Sequence, residues 1–483
     1  MADVIVIGAG VGGLAAALRL RAAGHRVRVL ERRAHIGGKL DVRQRDGFCF
    51  DIGPSLLTLP SLFDDLLRGC GTSLADEVDL VRLDPQIRHW WPGGGTFDSC
   101  DDPGGTAQAV EELSPGAGSA YLSFLSRGEH IWEVSERSFL AGPMSVGPSL
   151  IRRLRSPRDL VTIDPLRTLD RVARQAFTDP RLVQWAGRYA TYSGSSPFRA
   201  PATLACIPAV EARFGVWYPR GGMGALGAAL GRVAERAGVV VETGTEVVAV
   251  EADSAAVRGV RTVEGVRHRA EVVVANVDAE HLYLDLLPDP ERLERARRAH
   301  RSMSAFVVLP RTPASTTGVA HHMVWFPADQ VGEFRQLVDE RTFADDPTIY
   351  ACVSSLTDPS QAPAGHENWF LLVNAPSGRS IDRDAYQRLV LERLASRGVD
   401  LQARLCFTEV IAPDDIADTY RSPGGSIYGT SSNGWRAAFL RPPNRGNRRG
   451  LYLVGGSSHP GGGLPLVAIS GRIVADLVRA DGW

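Results

Sequence analysis

The chain has 483 residues, room for two or three domains around a large core. Lys+Arg total 54 and Asp+Glu 55, a balance that lacks the basic excess of a nucleic-acid binder. With 44% hydrophobic and 23% charged residues the composition is globular and excludes a disordered chain.

Val4-Ile5-Val6-Ile7 predicts a buried parallel strand. Gly8-Ala9-Gly10-Val11-Gly12-Gly13 follows, then a helix over 14–23 ended by Gly24, then a strand over 26–30 closed by Glu31. Each part of this β-α-β unit has a physical task. Gly8 permits a tight turn, Gly10 lets backbone approach a pyrophosphate, and Gly13 permits close helix–strand packing. The helix N-terminus offers free N–H groups to phosphate. Glu31 can accept hydrogen bonds from ribose hydroxyls and would repel a 2′-phosphate, which argues against NADP. The unit alone fits NAD or FAD. Gly37-Gly38-Lys39 then supplies a Gly-Gly pair followed by a base, and this resembles the flavin amine-oxidase superfamily and favours FAD. Lys39 is the only lysine in the chain. It reads either as a cation near pyrophosphate or flavin, or as a solvated surface group.

Turn residues crowd 37–60, and 74–98 predicts short strands. From 106 to 214 the chain is mostly helical and rich in Arg and aromatics, among them Trp132, Phe139, Trp185, Tyr189, Tyr192, Phe198 and Phe214. These either line an apolar channel or fill a core. Residues 221–237 predict a helix, 239–251 strands, and Val272-Val273-Val274-Ala275-Asn276 a buried strand. A second G-x-G-x-x-G, Gly222 to Gly227, follows Trp217-Tyr218-Pro219-Arg220 and not a buried apolar strand, so it is set aside as a nucleotide site. A mixed block covers 280–415. Leu451-Tyr452-Leu453-Val454 predicts a strand, and a Gly/Pro loop leads to a helix over 466–479. That helix start, near Leu466 and Val467, can present its dipole to a flat ligand. His459 in the loop reads as a proton carrier or as a loop histidine bonded to backbone.

Nucleotide-type pieces at the start, middle and end predict an α/β protein with a discontinuous Rossmann-type FAD-binding domain. That domain comprises 1–90, 215–280 and 415–483. An inserted α+β substrate domain, 91–214 and 281–414, carries a helical membrane-facing part. The stretch Ile151-Arg152-Arg153-Leu154-Arg155 with Arg158 fits an anionic bilayer surface or a solvated helix face. None of the six cysteines forms a C-x-x-C pair, so reduced thiols, a cytoplasmic location and no metal are expected. His321 and His322, as neighbours on a strand, are expected to point to opposite faces.

Beyond the first motif, Phe50-Asp51-Ile52-Gly53-Pro54-Ser55, Tyr218-Pro219-Arg220-Gly221-Gly222-Met223 and Val274-Ala275-Asn276-Val277-Asp278 share one likeness. His321-His322, Asp346-Pro347 with Tyr350, Ser355-Leu356-Thr357-Asp358-Pro359, Arg441-Pro442 and the 451–471 element extend it. Together they resemble the phytoene desaturases and related carotenoid desaturases, in order over nearly the whole chain. The resemblance implies non-covalent FAD and a hydrophobic polyene drawn from a membrane by a peripherally associated enzyme. It implies removal of hydrogen from an allylic carbon pair of a linear C30 or C40 polyene. Gly8, Gly10, Gly13, Glu31, Arg32, Gly38, Lys39, Gly53, Pro54 and Ser55 fall on the flavin side. Val247 matches a strand that contacts adenine, and Gly456, Leu464, Pro465 and Val467 match the isoalloxazine-facing loop. Tyr192, in Tyr192-Ser193-Gly194-Ser195-Ser196-Pro197, and His459 are the candidate catalytic residues. Ser458-His459-Pro460-Gly461-Gly462-Gly463 departs from the usual loop toward desaturases acting late, on hydroxylated carotenoids. Oxygen or a membrane quinone is the expected electron acceptor. Two other readings stay open: an FAD-dependent oxidase or isomerase of another lipophilic molecule, and a non-enzymatic prenyl-lipid binding protein.

Overall fold

Strand Asp3–Ile7 alternates its side chains between two apolar layers, and this sets the order of the nucleotide body. Val4 and Val6 join Val27, Val29, Val272 and Val274 on one face, against helices Val11–Ala22, Gly224–Arg236 and Leu464–Ala480. Ile5 and Ile7 join Leu30, Val273, Ala275 and Leu453 on the other, against an antiparallel sheet of Val247–Ala252, Val257–Thr262 and Arg267–Arg269. The central sheet is parallel throughout, in the order Leu451–Leu453, Val272–Ala275, Asp3–Ile7, Arg26–Leu30, Val240–Glu242. Segments more than 400 residues apart in sequence thus lie two strands apart, as the discontinuous reading anticipates. The computed structural model describes residues 1–144, 153–154, 156–314, 318–437 and 441–483. Ile151, Arg152 and Arg155 of the basic stretch lie outside the described residues.

A second, eight-stranded sheet carries the chamber. Its middle strands, Ser304–Val308, His366–Ala375, Ile349–Val353 and His322–Trp325, are antiparallel neighbours. Phe306, Val308, Leu371 and Val373 face helix Arg383–Ser396, whereas Ala305, Val307, Phe370 and Leu372 face a cavity. Helices Ala117–Ser138, Leu169–Ala176, Pro180–Arg188 and Cys206–Phe214 form the layer over this sheet's edge. Trp185 sits at its centre, with the rings of Phe97, Tyr121, Phe124, Phe177 and Tyr189 at 5.3–6.2 Å. The aromatics therefore divide: Trp185 and Tyr189 are core, while Trp132, Phe139 and Tyr192 line the cavity.

Three local expectations change. Residues 74–98 begin with a helical turn, Leu74–Glu77, capped by Ser73 and Asp76. The strands after it also part company: Leu80–Arg82 pairs with Trp217–Pro219, whereas Ile87–Trp90 and Thr96–Ser99 join the eight-stranded sheet. The last helix starts at Leu464, because Pro465 suits a first turn that needs no N–H.

Candidate active site

The cradle is made mostly of backbone. Gly8 accepts φ +92° and donates its N–H to Leu30 at 2.8 Å, which turns the chain sharply out of the first strand. A Cβ on Gly13 would lie 2.2 Å from the Gly8 carbonyl oxygen, so only glycine lets the helix pack this close. Gly10 caps the helix without any side-chain bond, leaving the first-turn N–H groups for a ligand. Asn276 braces the loop by donating to Gly8 O at 3.2 Å. Glu31 is aimed by two backbone donors, Ala9 N–H at 2.7 Å and Arg33 N–H at 2.8 Å. Each of its oxygens keeps a lone pair for a diol.

The second G-x-G-x-x-G is already satisfied from within. Its helix follows an antiparallel ribbon, and Asp51 accepts from Gly224 N–H at 3.3 Å and from Tyr218 at 3.1 Å. Burial raises Asp51 to about 6, and those bonds pull the other way. Gly53, two residues on, approaches Lys39 O so closely that a Cβ would stand 1.7 Å from it.

From this cradle one cavity of about 1410 Å³ runs into the apolar chamber. Gly8, Gly10, Glu31, Arg32, Gly38, Lys39, Gly53, Pro54, Ser55 and Val247 line it, as do Gly456, Leu464, Pro465 and Val467. Gly13 lies behind the lining, in the helix–strand contact. Lys39 does not reach solvent freely: its Nζ donates to Ile427 O at 3.0 Å and Ser426 O at 3.2 Å. Burial lowers it to about 8, with Asp278 opposing. Arg32 donates to Thr419 O at 2.6 Å. The last helix presents an N-terminus capped by Gly463 without a side-chain bond, at the cavity wall.

Both candidate catalytic residues line the cavity. Tyr192 donates to Glu211 Oε1 at 2.6 Å, and Tyr189 donates to Glu211 Oε2 at 2.9 Å. His459 has Nε2 at 3.0 Å from Phe139 O and 3.1 Å from Gly142 O, and burial lowers its pKa to about 4. Of its two readings, the bond to backbone is the one these distances describe.

Sequence reasoning missed Arg188 and Glu211. Both are buried and both line the cavity. Burial pushes Glu211 above the usual carboxylate range, while Arg188 and the two phenols oppose that. The signal was present: Glu211 shares one helix face with Ile207 and Val210, while Arg213 is the helix's other charged residue. Tyr350 was known only as part of a motif. Its hydroxyl bridges Ser55 Oγ at 2.6 Å and His322 Nδ1 at 2.8 Å.

The expectation for His321 and His322 is overturned. The strand begins at His322, so alternation does not govern the pair, and their rings meet edge to face at 4.4 Å. Cys352 lies beside them, with one ligand atom from each of the three within 4.8 Å of the others. His321 is held by Thr357 at 2.7 Å through Nδ1.

The geometry fits a dinucleotide whose adenosine half lies along the parallel sheet and whose far end reaches the apolar chamber. That is the layout of a dinucleotide-binding protein. The chain belongs to the family of flavin containing amine oxidoreductases, whose model matches residues 11–479, and its cofactor is FAD. It is 32% identical to a 4,4'-diapolycopene oxygenase from Methylomonas sp over 99% of this chain and 98% of that protein. It is also 32% identical to a 1-hydroxycarotenoid 3,4-desaturase from Flavobacterium sp., over 99% of each. The likeness read from the motifs thus extends over almost the entire chain. A solved oxidoreductase from Methanosarcina mazei shares the fold at TM-score 0.64 and 18% identity, covering 98% of this chain and 100% of that one.

Proposed function

We propose that this enzyme removes hydrogen from allylic carbon pairs of a linear carotenoid, extending its conjugation. The carrying observation is the single cavity that joins a dinucleotide cradle to a long apolar chamber. When bound, FAD supplies the two-electron acceptor. Gly8, Gly10, Glu31, Arg32 and Val247 would hold its adenosine diphosphate half. Gly38, Lys39, Gly53, Pro54, Ser55, Gly456, Leu464, Pro465 and Val467 would hold the rest, with Gly13 fixing the helix behind them. The chain's task is then positioning a rod and excluding water. Val307, Phe370 and Leu372 from the sheet and Ile207 and Val210 from the opposing helix supply apolar walls. In this reading His459 straps the flavin-side loop to Phe139 and Gly142 and does not carry the proton. Tyr192 faces the substrate while anchored to Glu211.

Two bodies divide the work: residues 1–90, 215–280 and 415–483 hold the nucleotide, and 91–214 and 281–414 hold the substrate. Sheet membership favours moving Ile87–Trp90 to the second. A peripheral membrane position is supported by Leu160, Val161 and Leu166. They are 48%, 78% and 78% exposed and also line the cavity, so an apolar lip stands at its mouth. Among the described residues no helix is long and apolar enough to cross a membrane.

The test is anaerobic. Purified holoenzyme is mixed with carotenoid-loaded liposomes, and the flavin absorbance and products are followed. Bleaching with a product carrying one more double bond supports the reading. A product that gains oxygen at its end once air is admitted moves the assignment to an oxygenase. A flavin that no carotenoid bleaches moves it to another lipophilic substrate. A protein that never takes up FAD revives the binding-protein reading.

A further inference from the structure

The chamber wall holds a buried cation whose donors are almost unused. Arg188, at the end of helix Pro180–Arg188, is 6% exposed and lines the cavity. A guanidinium carries five N–H donors in a plane. Among the described residues the Arg188 side chain makes one hydrogen bond, from Nη2 to Tyr192 Oη at a long 3.4 Å, and its Nε is buried without a partner. Among the described residues it forms no ion pair within 4.0 Å, and both Glu211 oxygens already accept from phenols. The rings of Tyr189 and Tyr192 lie 4.8 and 5.3 Å from the guanidinium carbon. They satisfy its face and leave its N–H edge bare.

A hydrocarbon passing such an edge would leave it unpaired, and buried unpaired donors are costly. An oxygen on the substrate removes that cost. Glu211 already balances the charge nearby, so a neutral oxygen suits the place better than a carboxylate. A hydroxyl suits it best, since it accepts from Arg188 and donates to the spare lone pair of a Glu211 oxygen.

We propose that Arg188, with Tyr192 and Glu211, forms an end-group subsite for a hydroxyl or carbonyl oxygen. The natural substrate is then a linear polyene already oxygenated at one end. The reaction that supplies it is a hydration or oxidation of a polyene terminus. This rests on the polyene reading above and goes one step further, from the class of substrate to its functional group.

The test compares matched polyenes of equal length and conjugation, with and without a terminal hydroxyl or carbonyl, on FAD-loaded enzyme under the same anaerobic conditions. The wild type is expected to prefer the oxygenated member by about 10- to 100-fold in kcat/KM, the worth of a charge-assisted hydrogen bond. Arg188→Leu is expected to bring that ratio to about one, and Arg188→Lys to restore part of it. A hydroxyl favoured over a carbonyl identifies Glu211 as the acceptor. Equal turnover of both members by the wild type overturns the subsite and leaves the polyene reading intact. So does an Arg188→Leu variant that slows both members in proportion, which is what a structural role alone would do. Bleaching by no polyene overturns both. The wild-type comparison needs no variant, so a misfolded Arg188→Leu leaves the proposal open to refutation.

Discussion

In the nucleotide cradle the groups that would meet the ligand are mostly backbone, held by glycines whose neighbours leave no room for a Cβ. In the chamber they are side chains, brought together from the helix ending at Arg188, the helix holding Glu211 and the strand holding Tyr350. The cradle is continuous in sequence over 8–13, 31–39 and 53–55. The chamber's polar cluster joins residues that are 19 to 23 apart in the helices and more than a hundred from the strand. A backbone site is intolerant of bulk and indifferent to side-chain chemistry. A side-chain site tolerates bulk better and fails selectively. Breaking each region should therefore give different phenotypes.

The largest effect is expected at Gly13→Val. Its side chain has no space against the Gly8 carbonyl, so the variant should be isolated without flavin or not at all, read as the ratio of 450 nm to 280 nm absorbance. Retention of a full flavin complement would remove the packing argument. Next is Glu31→Ala. It deletes the carboxylate aimed by Ala9 and Arg33, and FAD affinity should fall by about 10- to 100-fold in a fluorescence titration, with the fold intact. If affinity holds, the ribose is bound elsewhere.

The mouth of the chamber is a smaller lever. Replacing Leu160, Val161 and Leu166 together by Ser should lower partition onto anionic liposomes by about 10-fold or more, since each exposed aliphatic chain is worth about 1 kcal/mol or more when buried. Unchanged sedimentation with liposomes would place the membrane face elsewhere.

Lys39 links the two regions through a pH window. Burial holds it at about 8 in the fold, against 10.5 for an ordinary lysine. Between these values the unfolded chain binds the extra proton, so stability gains with rising pH there and the penalty is fully present below 8. The Tm of the wild type relative to Lys39→Met should climb from pH 8 to 10. A flat difference would mean that Lys39 is charged and well solvated. The smallest expected signal is metal. Three ligand atoms from His321, His322 and Cys352 lie together, yet no fourth such ligand joins them among the described residues, and burial holds the thiol protonated. Metal analysis should return no stoichiometric ion, and one zinc per chain would assign the trio.

The sequence alone was enough for the β-α-β unit, the acidic end of its second strand and the dismissal of the second glycine motif. Each depends on local spacing and on whether an apolar strand precedes a turn. The same logic placed the last strand beside the first body, because a glycine-rich loop running from a strand into an apolar helix has few other uses. Local pattern misjudged the histidine pair, since alternation holds only inside a strand and the strand starts one residue later. It gave His459 two readings, and only the carbonyls of Phe139 and Gly142, more than 300 residues away, distinguish them. Arg188 was hidden for the same reason. An arginine among 52 others carries no mark in sequence, and what sets it apart is the absence of any hydrogen-bond partner at the Nε of a buried guanidinium. That absence exists only after the helices have packed, because satisfaction of a buried charge is a property of its neighbours in space and not of its neighbours in the chain.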